Sequence, residues 1–164
     1  MQNQLNHIKS IIYDPCGFKI SNLQQEQESQ DYDACLFTIN DKEVRCRTAK
    51  ITPKKNGQFV TFWKREDNGP IEPFNESDAI DLFVVNVKTE HEFGQFVFPK
   101  NLLIQKGIIS TVAKEGKRAF RVYPSWDSPQ SKQSIKSQKW QLDYFYTIND
   151  STDLAKVKQL YQLV

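Results

Sequence analysis

The sequence has few residues of the types that mark secreted, membrane-spanning or metal-binding proteins. Only three of its 164 residues are cysteine and two are histidine, and no two cysteines form a CxxC pair. An odd number of cysteines is typical of reduced thiols in a cytosol, not of a disulfide framework. The longest apolar runs, such as residues 82–85, are too short to cross a bilayer, and the N-terminus lacks the regions of a signal peptide. We therefore expect a cytoplasmic protein without membrane insertion.

Glycine is scarce as well, and its spacing excludes one common kind of phosphate site. None of the six glycines belongs to a GxGxxG or GxxxxGK[ST] loop. Neither histidine belongs to an HExxH motif or to a Ser/His/Asp order. The sequence therefore supports neither a nucleotide-binding loop nor a hydrolase triad.

Composition and length indicate one folded domain over residues 1–164. Hydrophobic residues make up 38% of the chain and aromatic residues 12%, which is enough to build one core. A stretch at residues 21–33 is rich in Gln, Glu, Asn and Ser and has only two large side chains to bury. We expect this stretch to be a solvated polar connection.

Hydrophobic periodicity predicts a mixed α/β (α+β) fold with a strand-rich centre. Apolar residues at helical spacing predict a first helix, which ends at Asp14-Pro15. The following pattern favours strands, with a hairpin over 34–51 and further strands at 58–63, 80–87, 94–98 and 119–123. Residues 80–87 have little polar alternation and are predicted to be buried on both faces. The expected architecture is a central mixed sheet flanked by helices.

Two helices are predicted in the last third of the chain. Ser128-Pro129 resembles a cap followed by proline at the first helical position, and Ile135, Leu142 and Phe145 are expected to face inward from the helix it opens. A final helix from Ser151 places Leu154, Val157, Leu160 and Tyr161 on one packed face.

Charge is segregated along the chain although the net charge is only +2. Residues 43–65 contain seven basic and one acidic residue, residues 66–92 contain one basic and eight acidic, and residues 93–140 contain nine basic and two acidic. Basic residues neutralise phosphates, and exposed aromatic residues stack on unpaired bases. Five aromatic residues accompany the basic blocks: Trp63, Phe96, Tyr123, Trp126 and Trp140. The alternative is that the acidic and basic blocks pair with each other and the aromatic residues are core.

The candidate phosphate contacts fall into three groups. The first comprises Arg45, Arg47, Lys50 and Lys54 on a strand and its exit loop, and Lys64 and Arg65 at the end of the next strand; the second comprises Lys117, Arg118 and Arg121. The third is a stripe at helical spacing, Lys132, Lys136 and Lys139, which is suited to follow a phosphate backbone. The alternative for the first group is a solvated sheet edge that prevents pairing with another chain.

Several segments together resemble the MepB family over about residues 30–146. They are RTAKITPK at 47–54, GQFVTFWKR at 57–65 with Gly69-Pro70-Ile71, GQFVFPK at 94–100, GKRAFRVYPSWD at 116–127 and QKWQL at 138–142. The family takes its name from a gene cluster with a multidrug efflux pump in staphylococci. The resemblance implies a restriction-endonuclease-like core, a mixed sheet flanked by helices, and so favours nucleic acid, DNA first, as partner.

Nucleases of that fold hold a divalent metal with two acidic or amide side chains and use a nearby lysine to activate water. Matching this pattern residue by residue gives Asp81, Gln95 and Lys100 as catalytic candidates, with Asp81 as the candidate metal ligand. The lysine position departs from the pattern, because the residue two after Gln95 is Val97.

Three functions therefore stay open. The first is a non-cleaving nucleic-acid-binding domain, for which no metal and no cofactor are expected. The second is a divergent metal-dependent nuclease, for which Mg²⁺ is the expected cofactor. The third is a regulatory module, linked to multidrug efflux, that binds a small anionic ligand or a protein partner.

Overall fold

A six-stranded mixed sheet forms the centre of the computed structural model, which describes residues 2–162. The strands in chain order are β1 (Ile20–Gln25), β2 (Cys35–Ile39), β3 (Lys42–Thr48), β4 (Lys50–Ile51), β5 (Gln58–Thr61), β6 (Trp63–Lys64), β7 (Glu72–Pro73), β8 (Leu82–Lys88), β9 (Phe93–Pro99), β10 (Ala119–Val122) and β11 (Phe145–Thr147). The helices are α1 (Gln2–Ile8), α2 (Lys100–Gln105), α3 (Lys132–Gln141) and α4 (Leu154–Tyr161), with a π-helical turn over Lys9–Tyr13 and 3₁₀ turns over Gln30–Tyr32 and Leu142–Tyr144. The predicted mixed α/β fold class is confirmed.

The central sheet has the strand order β1-β2-β3-β8-β9-β11. Its neighbours are antiparallel except β3 and β8, which are parallel. Parallel neighbours need a crossover connection, and residues 49–81 supply it. β8 has neighbours on both sides and cores on both faces, so Leu82 to Val87 are all buried, as the sequence predicted.

Each face of the central sheet has its own core. On one face, Ile8 and Ile12 from the N-terminal helical segment pack with Val157 and Leu160 from α4 over β2, β3 and β8. The predicted apolar face of the last helix is therefore confirmed. The other face is covered by the crossover segment, α2 and α3. No helix among residues 2–162 is long and apolar enough to cross a membrane.

A second, three-stranded antiparallel sheet lies over that other face. Its order is β10-β5-β4, and its register aligns Arg121 with Phe59 and Phe59 with Lys50. Val60 and Val122 point inward and are fully buried in the second core. Since side chains alternate along a strand, Arg121, Phe59 and Lys50 point outward.

Two predictions about the ends of the central sheet were wrong. The polar stretch at 21–33 is not only a connection, because residues 20–25 form edge strand β1, which pairs with β2. An edge strand satisfies its backbone on one side and exposes both faces, so it tolerates polar side chains. Phe145 lies in strand β11 at the opposite edge and not on a helix, and it contributes to the second core.

The helix predicted to open at Ser128-Pro129 begins later, at Lys132. Ser131 is its N-cap, and its hydroxyl oxygen accepts a hydrogen bond from the backbone N–H of Ser134. The Ser134 hydroxyl oxygen in turn accepts from the backbone N–H of Ser131. This capping box fixes the start of the helix at Lys132. Ile135, expected to face inward, is 51% exposed. Gln141, on the same helix, is buried because its side-chain amide is hydrogen-bonded to the backbone of Arg121 and Tyr123.

Candidate nucleic-acid interface

Arg45 and Arg47 lie on the predicted common face of β3, but this face points into the protein. Arg47 is completely buried, and the side chain of Arg45 is 26% exposed above the Phe74 ring. Both guanidinium groups donate to the carboxylate of Glu26, one to each oxygen. Arg47 also donates to the carbonyl of Cys46 at 3.2 Å. In this arrangement Arg47 is a buried ion-pair residue and is inaccessible to a phosphate.

Lys64 and Arg65 are also paired with acidic side chains. Lys64 lies 2.9 Å from Asp78 and within 4 Å of Glu66 and Glu72, and Arg65 lies 3.4 Å from Glu28. They line a cleft of about 560 Å³ together with Arg45 and four carboxylates, those of Glu26, Glu28, Asp67 and Asp78. The pairing of acidic and basic blocks, considered as the alternative in the sequence, holds in this cleft, so its charge is mixed.

A different basic surface lies between the second sheet and α3. Two adjoining cavities of about 320 Å³ each share Arg121, Tyr123, Ser131 and Ser134. We call this surface the basic groove. Its charged lining residues are Lys55, Lys106, Lys117 and Arg121, and in the described part of the chain no acidic side chain lines either cavity. None of these four cations forms an ion pair with another residue between 2 and 162. Their charges are therefore available to an anionic ligand.

Arg121 is held in place by the loop before β5. Its guanidinium donates to the carbonyls of Asn56 and Gly57 at 3.2 and 3.4 Å and to the Thr52 hydroxyl. Its Cζ lies 5.8 Å from the centre of the Phe59 ring. Arg121 thus connects the basic groove with the outward face of the second sheet.

Tyr123 forms part of the groove floor because residue 57 is glycine. Gly57 has φ +77°, and a Cβ there would lie 2.6 Å from the Tyr123 ring. Gly94, in the second GQFV copy, has the same relation to Phe145, whose ring would lie 2.5 Å from a Cβ. In both GQFV segments, at 57–60 and 94–97, an aromatic ring therefore packs on the glycine at or near the start of a strand.

The helix α3 forms the other wall of the groove and is joined directly to β10. Gln141 donates to the Arg121 carbonyl at 2.9 Å and accepts from the Tyr123 N–H at 2.8 Å. Ser131, Ser134, Ser137 and Trp140 line the groove from this helix, and Lys106 lies 5.1 Å from the Trp140 ring centre. The lysine stripe Lys132, Lys136 and Lys139 is exposed, but helical geometry places it on the side of α3 that is turned away from the groove.

The outward face of the second sheet continues the basic surface beyond the groove. Lys50 is exposed, and its ammonium lies 4.5 Å from the centre of the Tyr32 ring. Lys54 is exposed in the loop after β4. Arg118 is exposed but contacts Glu115 at 3.0 Å. Of the predicted contacts, the structure therefore brings Lys50, Lys54, Lys117 and Arg121 to one side of the molecule.

Lys55 and Lys106 are groove residues that motif matching missed. Both belong to basic blocks in the sequence, so the charge count included them, but no strand pattern or motif placed them beside Arg121. Of the five aromatic residues considered, Tyr123 and Trp140 line the groove and Trp63 lines the mixed-charge cleft. Phe96 is core, and Trp126 is partly buried against the second core beside Phe145.

Of the three nuclease candidates, Asp81 and Lys100 are neighbours, since the Lys100 N–H donates to the Asp81 carbonyl at 3.0 Å, but Gln95 lies apart from them. The Asp81 carboxylate accepts from the Glu43 N–H at 2.8 Å, and the Lys100 ammonium donates to the Asp78 carbonyl at 2.6 Å. Gln95 pairs with Asn86, five residues along β8 from Asp81, which corresponds to about 17 Å of strand. Within residues 2–162 there is no group of three or more His, Cys, Asp or Glu side chains placed to hold a metal ion.

Gln95 belongs instead to a buried tyrosine–glutamine cluster made of Gln95, Tyr13, Tyr146 and Tyr161. Its carbonyl oxygen accepts from the hydroxyls of Tyr146 and Tyr161, and its amide donates to Tyr13 at 3.3 Å and to Asn86 at 2.7 Å. Burial raises the pKa of all three tyrosines. The Gln95 amide is fully paired inside the core, where a glutamine otherwise costs stability.

Comparison with known proteins assigns the chain to a family. A sequence model described as MepB-like matches residues 26–147. The chain belongs to the MepB-like family. A crystal structure of MepB is similar to this MepB-like chain at 35% identity and a TM-score of 0.79, over 91% of this chain and 99% of the other.

The other solved structure found is a bacterial homing endonuclease, I-Ssp6803I. It has 14% identity and a TM-score of 0.43, over 85% of this MepB-like chain and 84% of that protein. Among curated proteins, no sequence match is found.

Proposed function

We propose that this MepB-like chain binds nucleic acid, DNA in the first place, through the basic groove and the adjoining outward face of the second sheet, without cleaving it. The observation that carries the proposal is the charge of the groove, which among residues 2–162 has four cations outside any ion pair and no acidic lining residue. Three serine hydroxyls, from Ser131, Ser134 and Ser137, add neutral hydrogen-bonding groups of the kind that contact phosphate oxygens.

The separation of Gln95 from Asp81 and Lys100 supports the non-cleaving form of the proposal. A metal-dependent nuclease needs its ligands and its lysine around one reacting phosphate. In this structure Gln95 is enclosed by three tyrosines, and Lys100 is bonded to the carbonyl of residue 78.

The mixed-charge cleft supplies an internal control. Arg65 is basic and partly exposed like the groove lysines, but Glu28 neutralises it. If phosphates bind in the groove, Arg65→Gln leaves affinity nearly unchanged, whereas Lys106→Gln with Lys117→Gln weakens it. Lys106 and Lys117 are both exposed, so this double substitution does not disturb the core.

The test is a titration of fluorescent DNA and RNA oligonucleotides at several salt concentrations. Each neutralised phosphate contributes about 0.7 to 0.9 to the slope of log affinity against log salt, so removal of both lysines should reduce the slope by about 1.4 to 1.8. Absence of binding at low salt, or equal losses in Arg65→Gln and the double variant, would overturn the proposal. Products shortened in the presence of Mg²⁺ or Mn²⁺ would overturn its non-cleaving part.

A further inference from the structure

The outward face of the second sheet combines half-buried aromatic rings with cations. The register of its three strands places Arg121, Phe59 and Lys50 in one row, with Phe59 on the central strand. Tyr32, from the turn after β1, lies beside this row with its ring centre 6.4 Å from that of Phe59. Both rings are partly exposed. The core lies on the opposite face of this sheet, where Val60 and Val122 are buried.

Aromatic side chains at such positions are not needed to bind a duplex backbone. Phosphate contacts alone supply sequence-independent duplex binding, and the base faces of a duplex are covered by their neighbours in the stack. Unpaired bases expose their faces and stack on aromatic side chains, while a basic groove follows the backbone. The alternation of cation, ring and cation across the sheet therefore matches an unpaired strand.

The dimensions of the basic groove point the same way. Each of its two cavities has a volume of about 320 Å³, which is at the lower end of the range for small-molecule pockets. A cavity of this size accommodates a nucleotide unit but not a double helix. Arg121 belongs to both the groove and the sheet row, so one strand can pass from the rings into the groove.

The two rings are not equivalent. Phe59 lies between Lys50 and Arg121, whereas Tyr32 has the acidic Asp31 next to it in sequence, which disfavours a phosphate on that side. Lys50 lies over the Tyr32 ring and is exposed, so it is able to leave the ring for a phosphate. Phe59 is therefore the principal stacking position.

We infer that this chain prefers single-stranded to double-stranded nucleic acid, with an unpaired base stacked on Phe59 and the flanking phosphates on Lys50 and Arg121. This inference rests on the proposed function, because it names the strand form that the same surface binds.

The experiment compares the full chain and two variants on a single strand, its duplex and the same strand with abasic sites, all at one salt concentration. Phe59→Leu keeps an apolar side chain and removes the ring. Phe93→Leu is the matched control, since Phe93 is also half-buried but packs on the opposite face of the central sheet against the first core.

The wild-type protein should bind the single strand at least about ten-fold more tightly than the duplex. Phe59→Leu should lose about ten-fold in affinity for the single strand and little for the duplex, and Phe93→Leu should lose neither. The abasic strand should bind the wild-type protein about ten-fold more weakly, a result that needs no variant to fold.

Tighter binding of the duplex than of the single strand, or equal affinity for the abasic and normal strands, would overturn this inference and leave the proposed function intact. Failure to bind any nucleic acid at low salt would overturn the proposed function itself.

Discussion

The buried ion pair between Glu26 and Arg47 gives the sharpest test of stability. Glu26→Gln removes the carboxylate that faces two guanidinium groups, one of them completely buried. The Glu26 side chain is only 10% exposed, so water does not reach the site to solvate the guanidinium that loses its partner. Removal of one partner of a buried pair costs about 3 to 5 kcal/mol, because the other charge stays buried without compensation.

For a chain of this length, each kcal/mol lowers Tm by about 2 to 4 °C, so Glu26→Gln should lower Tm by about 6 to 20 °C. Urea unfolding followed by tryptophan fluorescence gives the free energy of unfolding directly. Glu28→Gln is the matched control, since Glu28 pairs with Arg65 at 44% and 36% side-chain exposure, and such exposed pairs contribute about 0 to 1 kcal/mol.

A second substitution separates charge burial from packing. In Glu26→Gln with Arg47→Met, the fully buried charge is gone and only the partly exposed Arg45 guanidinium keeps a charge here, so part of the lost stability should return. Equal stability of Glu26→Gln and Glu28→Gln would refute the reasoning, and it would return Arg47 to the set of accessible phosphate contacts.

Two further predictions concern stability. Gly57→Ala should destabilise the fold by more than Gly17→Ala in urea unfolding, because both glycines have positive φ but only a Cβ at 57 meets the Tyr123 ring, and Gly17 has nothing within 4 Å; equal losses would contradict the proposed ring contact. The raised pKa values in the tyrosine–glutamine cluster make stability fall as pH rises above about 10, where unfolded tyrosines ionise and the buried ones keep their protons. A titration of tyrosinate absorbance should show three of the six tyrosines ionising only on unfolding, and early, reversible ionisation of all six would contradict the burial.

The central sheet was predictable where one local pattern decided the structure. The stretch at 82–87, apolar except for Asn86, needs burial on both faces, and an interior strand provides it. The edges were harder to predict. β1 is polar because its faces are exposed, and β11 has three residues and follows directly from a helix, so neither has a clear alternation of its own.

The location of the basic surface was only partly predictable. The strand period correctly placed Arg45 and Arg47 on one face of β3, but the period does not say which face is covered. That depends on the crossover segment, which covers the face of the central sheet bearing the two arginines. Arg121 on β10 faces outward because its strand lies in the outer sheet, and Lys117 lies just before that strand.

The parallel pairing of β3 and β8 has a consequence for the order of folding. The hairpins β2–β3 and β8–β9 join neighbouring segments, so each closes a short loop. Pairing of β3 with β8 must enclose residues 49–81, and loop-closure entropy makes such contacts slow to form. The crossover cannot be positioned over the sheet until this pairing is complete. The row of Lys50, Phe59 and Arg121 is therefore expected to assemble late, and a nascent chain that stops before β10 lacks Arg121 itself.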